Sequence, residues 1–219
     1  MSIDILEYQT APEETAEYTV VPVQPAGTLF YRAVKRVFDF VVAFVLLVVL
    51  AVPMLLIAFG TWLSSPGPAI FTQLRMGKDG KVFKIYKYRT MRMDAPHDLA
   101  TSEFHDAQEY MTPIGIFLRR TSLDELPQLI NILKGEMSFV GYRPVCLTEI
   151  KLNNLRQAYG VFAVRPGLTG LAQVKGRENL KYREKARLDA QYVEKQGFAL
   201  DIWCLIMTVV VIITGEGAK

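Results

Sequence analysis

The chain has 219 residues, 51% of them hydrophobic, with a mean hydropathy of +0.19 and a formal charge of only +3. That is enough apolar material for one compact domain plus a membrane element. Two cysteines, Cys146 and Cys204, lie far apart behind an N-terminus with no secretory signal, which argues against a disulfide framework and for a reducing, cytoplasmic exposure.

The charge is unevenly placed. Residues 1–30 hold Asp4, Glu7, Glu13, Glu14 and Glu17 with no Lys or Arg, so the rest carries all 25 basic residues against 17 of the 22 acidic ones. A basic body of +8 fits an anionic membrane surface, phosphate-bearing substrates or nucleic acid. The acidic stretch includes Pro12, Pro22 and Pro25 and shows no helical period, so we expect a disordered or loosely attached tail.

Phe40 to Leu63 is uncharged and, at about 1.5 Å per residue, long enough to cross a hydrocarbon core of about 30 Å. A single spanning helix is the simplest reading. Pro53 near its middle cannot donate the bond to Val49 and predicts a sharp bend. Arg32, Lys35 and Arg36 flank one end, and Arg75, Lys78, Lys81 and Lys84 follow the other after the break at residues 64–68. Basic residues stay on the cytoplasmic side, so both ends ask for the same face. The run also explains the basicity without nucleic acid.

Ala69 to Arg75 and Lys81 to Arg89 are β-prone runs around an Asp79-Gly80 turn signal. Alternation puts Phe83, Ile85, Lys87 and Arg89 on one face; we expect Lys81 and Lys84 at lipid headgroups and Lys87 and Arg89 near a site. Residues 93–112 read as a polar surface loop, because the spacing of His97 and His105 matches no zinc pattern. Ile114 to Arg119 reads as a short helix, and Leu126 to Leu133 as an amphipathic one closed by Gly135.

Between them stand two adjacent carboxylates, Asp124 and Glu125, with Arg119 and Arg120 before and Arg143 after. Guanidinium groups hold phosphate oxygens in a fixed fork, and carboxylates beside such a site point to phosphoryl chemistry. Ser122-x-x-Glu125 is also a capping-box pattern, the plainer explanation. Pro127 favours a helix start nearer Asp124, where a proline needs no intrahelical partner. Further on, residues 165–170 are turn-rich and read either as a structural loop or, with Arg165 and Arg177 around them, as a phosphate loop. Asn179 to Gln196 is a charged helix, and Ile202 to Thr214, at 13 residues, is too short to span and reads as a core or interfacial helix.

KRVFDF at 35–40, FKIYKYRTM at 83–91, SLDELPQLINILKGEMSFVG at 122–141, Arg143-Pro144 and RPGLTGLAQVKGR at 165–177 stand in one order. In this the chain resembles the bacterial sugar transferases, small monotopic polyprenyl-phosphate phosphoglycosyl transferases, from about Lys35 to the C-terminus. Val52, Tyr142 and Leu171 depart from residues usual there (Ser, Pro and Trp), and none removes a charge. The resemblance favours re-entry at Pro53 and implies an α+β fold: a tail over 1–30, a re-entrant membrane helix over 31–66, and a catalytic domain over 67–219 with a short hairpin and interfacial amphipathic helices.

The activity it implies is transfer of a sugar phosphate from a UDP-sugar to undecaprenyl phosphate, with UMP leaving, on the cytoplasmic face of a bacterial inner membrane, as the first step of exopolysaccharide or other glycoconjugate assembly. By the same resemblance Asp124 is the nucleophile, forming an acyl phosphate, and Glu125 assists proton transfer or metal positioning. Facing anions need neutralisation, so Mg²⁺ between Asp124 and the diphosphate is expected. Arg119 and Arg143, with Lys87, Arg89, Arg165, Gln173 and Arg177, are the candidate phosphate and substrate ligands. Asp189 and Tyr192 match the pattern without a role. Two rivals stay open, a membrane-anchored lipid-binding scaffold and an aspartyl-phosphate hydrolase; the sugar and any homo-oligomer are not read from sequence.

Overall fold

Leu50 divides the long uncharged run. In the computed structural model, which describes residues 21–95, 108–176 and 180–214, α1 (Leu29–Val49) and α2 (Ala51–Ser64) meet there at 66°. The Leu50 amide donates to Leu46 and closes α1, while Leu50's own carbonyl accepts the first bond of α2 from Met54. Pro53 falls in the first turn of α2, where its absent N–H would otherwise have sought Val49, so the break the sequence predicts sits one turn ahead of it. Neither helix alone is long and apolar enough to cross a bilayer; only the two taken together, across their bend, reach that length and composition.

Both ends of this pair are tied to the same body. On α1, the Arg36 guanidinium donates to the carbonyls of Ile132 and Leu133 (2.7 and 2.8 Å), and buried Asp39 accepts from the Phe139 amide (3.1 Å). Lys35 pairs with Asp201 at 2.6 Å. At the exit of α2, Arg89 donates to the carbonyls of Ser65 and Pro66 at 2.6 and 2.7 Å. Between these anchors the outward residues Phe44, Val48, Leu55, Phe59 and Trp62 stay exposed.

The expected hairpin forms as β1 (Ile70–Met76) against β2 (Val82–Tyr88), antiparallel with Leu74 opposite Lys84. Its turn places Asp79 and Gly80 at φ of 55° and 72°, the left-handed pair that an Asp-Gly dipeptide tolerates. Helix α3 (Pro113–Thr121) starts on a Thr112 side chain that accepts from the Gly115 amide, with proline first in the helix. A 3₁₀ turn over Leu123–Glu125 and α4 (Gln128–Lys134) follow, and Gly135 ends α4 in the left-handed conformation.

Strand β3 (Ser138–Val140) pairs in parallel with β4 (Gly167–Thr169). Here Gly141, Gly167 and Gly170 bring two backbones together: a Cβ on Gly170 would lie 1.7 Å from the Gly141 carbonyl oxygen, and one on Gly167 would lie 2.1 Å from the Gly141 amide. The glycines of residues 165–170 are thus needed for backbone packing. Helices α5 (Ile150–Ala158), α6 (Leu171–Lys175), α7 (Tyr182–Lys195) and α8 (Phe198–Thr214) complete an α+β fold. The main core cluster gathers Ala43 of α1, Ile85 of β2, Leu129 and Ile132 of α4, Phe139 of β3, Tyr192 of α7 and Cys204 of α8, while Leu152 and Leu155 of α5 pack with Ala186 of α7 in a separate one.

Two expectations change. Helix α8 begins at Phe198 rather than Ile202, and Asp201 in its first turn is buried against Lys35 and the hydroxyls of Tyr31 and Tyr192. The expected tail lies mostly outside the described residues, but residues 21–28 run against the body, with the Val23 and Ala26 amides donating to Tyr159 and Val193.

Arg89→Met removes the charged donor from two carbonyls at the exit of α2 and is expected to cost about 2–3 kcal/mol. Thermal unfolding of the purified protein checks this; an unchanged midpoint would mean those carbonyls find other donors.

Candidate active site

The 3₁₀ turn after α3 carries the two acids. Ser122 ends α3 with φ 58° and its side chain caps nothing, so the capping-box explanation of Glu125 does not hold. Three residues per turn separate successive side chains by about 120°. Asp124 and Glu125 therefore face different surroundings.

Glu125 faces cations. Its Oε1 accepts from Lys87 Nζ at 2.7 Å and from Arg143 Nη2 at 2.8 Å. Burial alone would raise its pKa, but the charges of Arg143 and Lys87 and their hydrogen bonds hold it well below the usual carboxylate range. Asp124 is buried at 7% exposure, and its nearest cation, Lys87 Nζ, is 3.8 Å away, beyond hydrogen-bond distance. Burial pushes the Asp124 carboxyl up; Lys87 opposes this, the Glu125 charge adds to it, and Arg143 and Arg119 oppose it more weakly. One acid is fully paired and the other is held close to cations without being quenched by them.

Asn131 sets this geometry. Fully buried on α4, it accepts from the Tyr86 amide at 3.1 Å and donates to the Lys84 carbonyl at 2.8 Å, clamping β2 beside α4 with Lys87 one residue further on. Arg119, in the last turn of α3, donates from Nε to the Thr90 hydroxyl at 3.0 Å. Lys87, Arg119 and Arg143 are thus the three predicted cations that the fold brings to the acids.

The other predicted ligands go elsewhere. Arg89 is buried against Ser65 and Pro66, because β2 and its alternation end at Tyr88. Arg165 donates from Nε to the Gly135 carbonyl at 2.7 Å and, beside Arg36, caps the C-terminal end of α4. Gln173 donates to the Leu168 carbonyl, and its buried Oε1 has no partner among the described residues. Arg177, like His97 and His105, lies outside the described residues. Sequence reasoning missed Asn131, Arg156 and Asp201; Asn131 and Asp201 are polar residues set among apolar neighbours on their helices, the signal that could have found them, whereas Arg156 stands among Asn153, Asn154 and Gln157 with no such signal.

Among the described residues no three His, Cys, Asp or Glu side chains cluster as a ready cation site. The acids fit Mg²⁺ in a different way. Mg²⁺ is commonly held by one or two carboxylates plus substrate phosphate oxygens. With Glu125 taken by Lys87 and Arg143, Asp124 is the carboxylate that could contribute an oxygen.

A sequence profile of the bacterial sugar transferases matches residues 30–215, and the chain belongs to that family. It is 40% identical over 164 residues to the galactosyl transferase CpsE of Streptococcus agalactiae, covering 70% of this chain and 36% of that protein. It is 38% identical over 187 residues to an uncharacterized sugar transferase, EpsL, of Bacillus subtilis, covering 84% of this chain and 90% of that one. It is also 38% identical over 211 residues to a UDP-glucose:undecaprenyl-phosphate glucose-1-phosphate transferase of Caulobacter vibrioides, covering 91% and 78%. The chain thus spans well under half of the streptococcal relative.

Lys87 lowers the pKa of both acids, so Lys87→Met should move Asp124 to still higher pH and lift Glu125 toward the ordinary range. Carboxylate ¹³C NMR titration of the purified protein reads both shifts; a titration of Asp124 that does not move would remove Lys87 from its environment.

Proposed function

We propose that the chain transfers a sugar phosphate from a UDP-sugar to undecaprenyl phosphate, giving a polyprenyl-diphosphate-linked sugar and UMP. The observation that carries the reading is the asymmetry of the acids: Asp124 buried and without a hydrogen-bonded cation, Glu125 neutralised by Lys87 and Arg143. Membership of the family and relatives named for this transfer support it.

In the first half-reaction an Asp124 carboxylate oxygen attacks the phosphorus that bears the sugar. The new acyl-phosphate bond forms as the bond to the bridging oxygen breaks, and UMP leaves with that electron pair. In the second, a phosphate oxygen of the lipid attacks the same phosphorus, and Asp124 leaves as a carboxylate. No proton need be taken from either nucleophile. Glu125, held ionised by two cations, is poorly suited as a base near neutral pH and instead orients Lys87 and Arg143. Arg143, nearly half exposed, and Arg119 add positive charge beside Asp124, where the transferred phosphate would carry its negative charge. Mg²⁺, held by Asp124 and the substrate diphosphate, would neutralise charge on the phosphate oxygens.

The bent pair α1–α2 is read here as a re-entrant anchor, with the catalytic body on the cytoplasmic face and the product feeding exopolysaccharide or other glycoconjugate assembly. The support is mechanical as well as electrostatic, since Arg36 and Asp39 at one end and Arg89 at the other hold both ends against one body. A scaffold that merely binds lipid has no use for a buried Asp124 left without a hydrogen-bonded cation.

Incubation with UDP-glucose or UDP-galactose and Mg²⁺, without lipid, should release UMP up to one equivalent of enzyme and leave a phospho-sugar on Asp124. Asp124→Asn should abolish both, as read by mass spectrometry of the quenched protein. Continued UMP release with free sugar phosphate would identify a hydrolase, and normal product from Asp124→Asn would sink the nucleophile assignment. Cysteines placed near residues 34 and 70 should react from the same side of the membrane; labelling from opposite sides would exclude re-entry.

A further inference from the structure

Arg143 is held in an unusual way. The segment from Tyr142 to Cys146 lies between β3 and α5, and its end carbonyls are taken: Tyr142 accepts from the Gly167 amide, and Cys146 from the Glu149 amide and the Asn153 side chain. Arg143's carbonyl accepts from Arg156 Nη1 at 2.8 Å. The Nε and Nη2 of Arg156 both donate to Asp189 Oδ2, at 2.9 and 2.7 Å, and the guanidinium lies 5.2 Å over the ring of Tyr142. Arg156 and Asp189 side chains are each 2% exposed.

A fully buried ion pair is weak evidence for stability, because removing both charges from water costs about as much as the pair returns. Two packed helices, α5 and α7, could be joined by apolar residues. What an apolar pair could not do is present a fixed donor to one backbone carbonyl. The guanidinium plane is fixed on one edge by Asp189 and on one face by Tyr142, and its remaining edge meets the Arg143 carbonyl. Arg143's side chain is 48% exposed and reaches Glu125 at 2.8 Å, so its aim depends on where its backbone is held.

We infer that Asp189 and Arg156 are positioning residues that act through the Arg143 backbone to fix the guanidinium that grips Glu125 beside the nucleophile. Tyr142 belongs to the same device, because it supplies the ring on which Arg156 lies. The inference about chemistry rests on the reading of Asp124 as the phosphoryl acceptor, whereas the inference about geometry does not.

Asp189→Asn removes the charge that orients Arg156, and Arg156→Lys keeps a cation opposite Asp189 but cannot span carboxylate and carbonyl together. The second supplies a folded comparison if the first does not fold, with thermal unfolding as the check. Two readouts are needed on the full-length protein. The first is solvent exchange of the Arg143 Nε–H by ¹⁵N NMR, expected to accelerate at least tenfold in either variant. The second is UMP release from UDP-glucose and UDP-galactose, expected to fall about 100-fold in kcat with KM changed far less, the scale of a misplacement near 1 Å. In an Arg143→Ala background the same substitutions should cost almost nothing more. Unchanged exchange at Arg143 overturns the inference, as does a 100-fold loss that persists when Arg143 is already gone. Accelerated exchange with normal turnover would uphold the positioning role and remove Arg143 from the reaction, so the two readings fail separately.

Discussion

Two adjacent carboxylates cannot both be buried and ionised without cations, and here the cations are divided unequally. Glu125 takes hydrogen bonds from Lys87 and Arg143, while Asp124 keeps Lys87 only at 3.8 Å. The rest of the arrangement follows from keeping that inequality. Were Lys87 shared evenly, each acid would be partly neutralised and the difference between them would be lost. The 3₁₀ turn prevents this, because it points the two side chains about 120° apart. The clamp of Asn131 on β2 then fixes on which of them Lys87 settles.

The charges of α1 are absorbed in the same way. Lys35 and Arg36, which read as flanking charges of a membrane run, pair with Asp201 and with carbonyls at the end of α4, and Asp39 takes the Phe139 amide. Their attachment ties the base of the apolar pair to the body that bears the acids. A helix C-terminus with open carbonyls attracts cations as surely as a phosphate does. That is why Arg165, a candidate phosphate ligand in a turn-rich stretch open to either reading, is found on the Gly135 carbonyl.

What was legible in the sequence was largely local. The Asp79-Gly80 turn, the break ahead of Pro53 and the adjacency of Asp124 and Glu125 each follow from one or two residues whose backbone or charge chemistry permits little else. Arg119 and Arg143 were legible because basic side chains close in sequence to an acidic pair have an evident partner, whereas Lys87, 38 positions from Glu125, was legible only through strand alternation. Arg89 was not, since alternation along β2 stops at Tyr88, and nothing in the residues marks where a strand ends. The pairs Arg156–Asp189 and Lys35–Asp201 join residues 33 and 166 positions apart. Only the tertiary fold makes such neighbours.

Helix α4 links these levels. Its seven residues span about 10 Å at 1.5 Å each. The acids precede its first turn, Asn131 in its middle holds β2, and Arg36 and Arg165 hold its last carbonyls. A short helix fixed at its centre and far end by charged and amide donors has little freedom to tilt, so the turn ahead of it inherits that rigidity. Arg143 approaches Glu125 from the opposite side, on a backbone anchored through α5 and α7 rather than through α4. The carboxylate and its guanidinium are therefore positioned by different elements, and they meet at 2.8 Å.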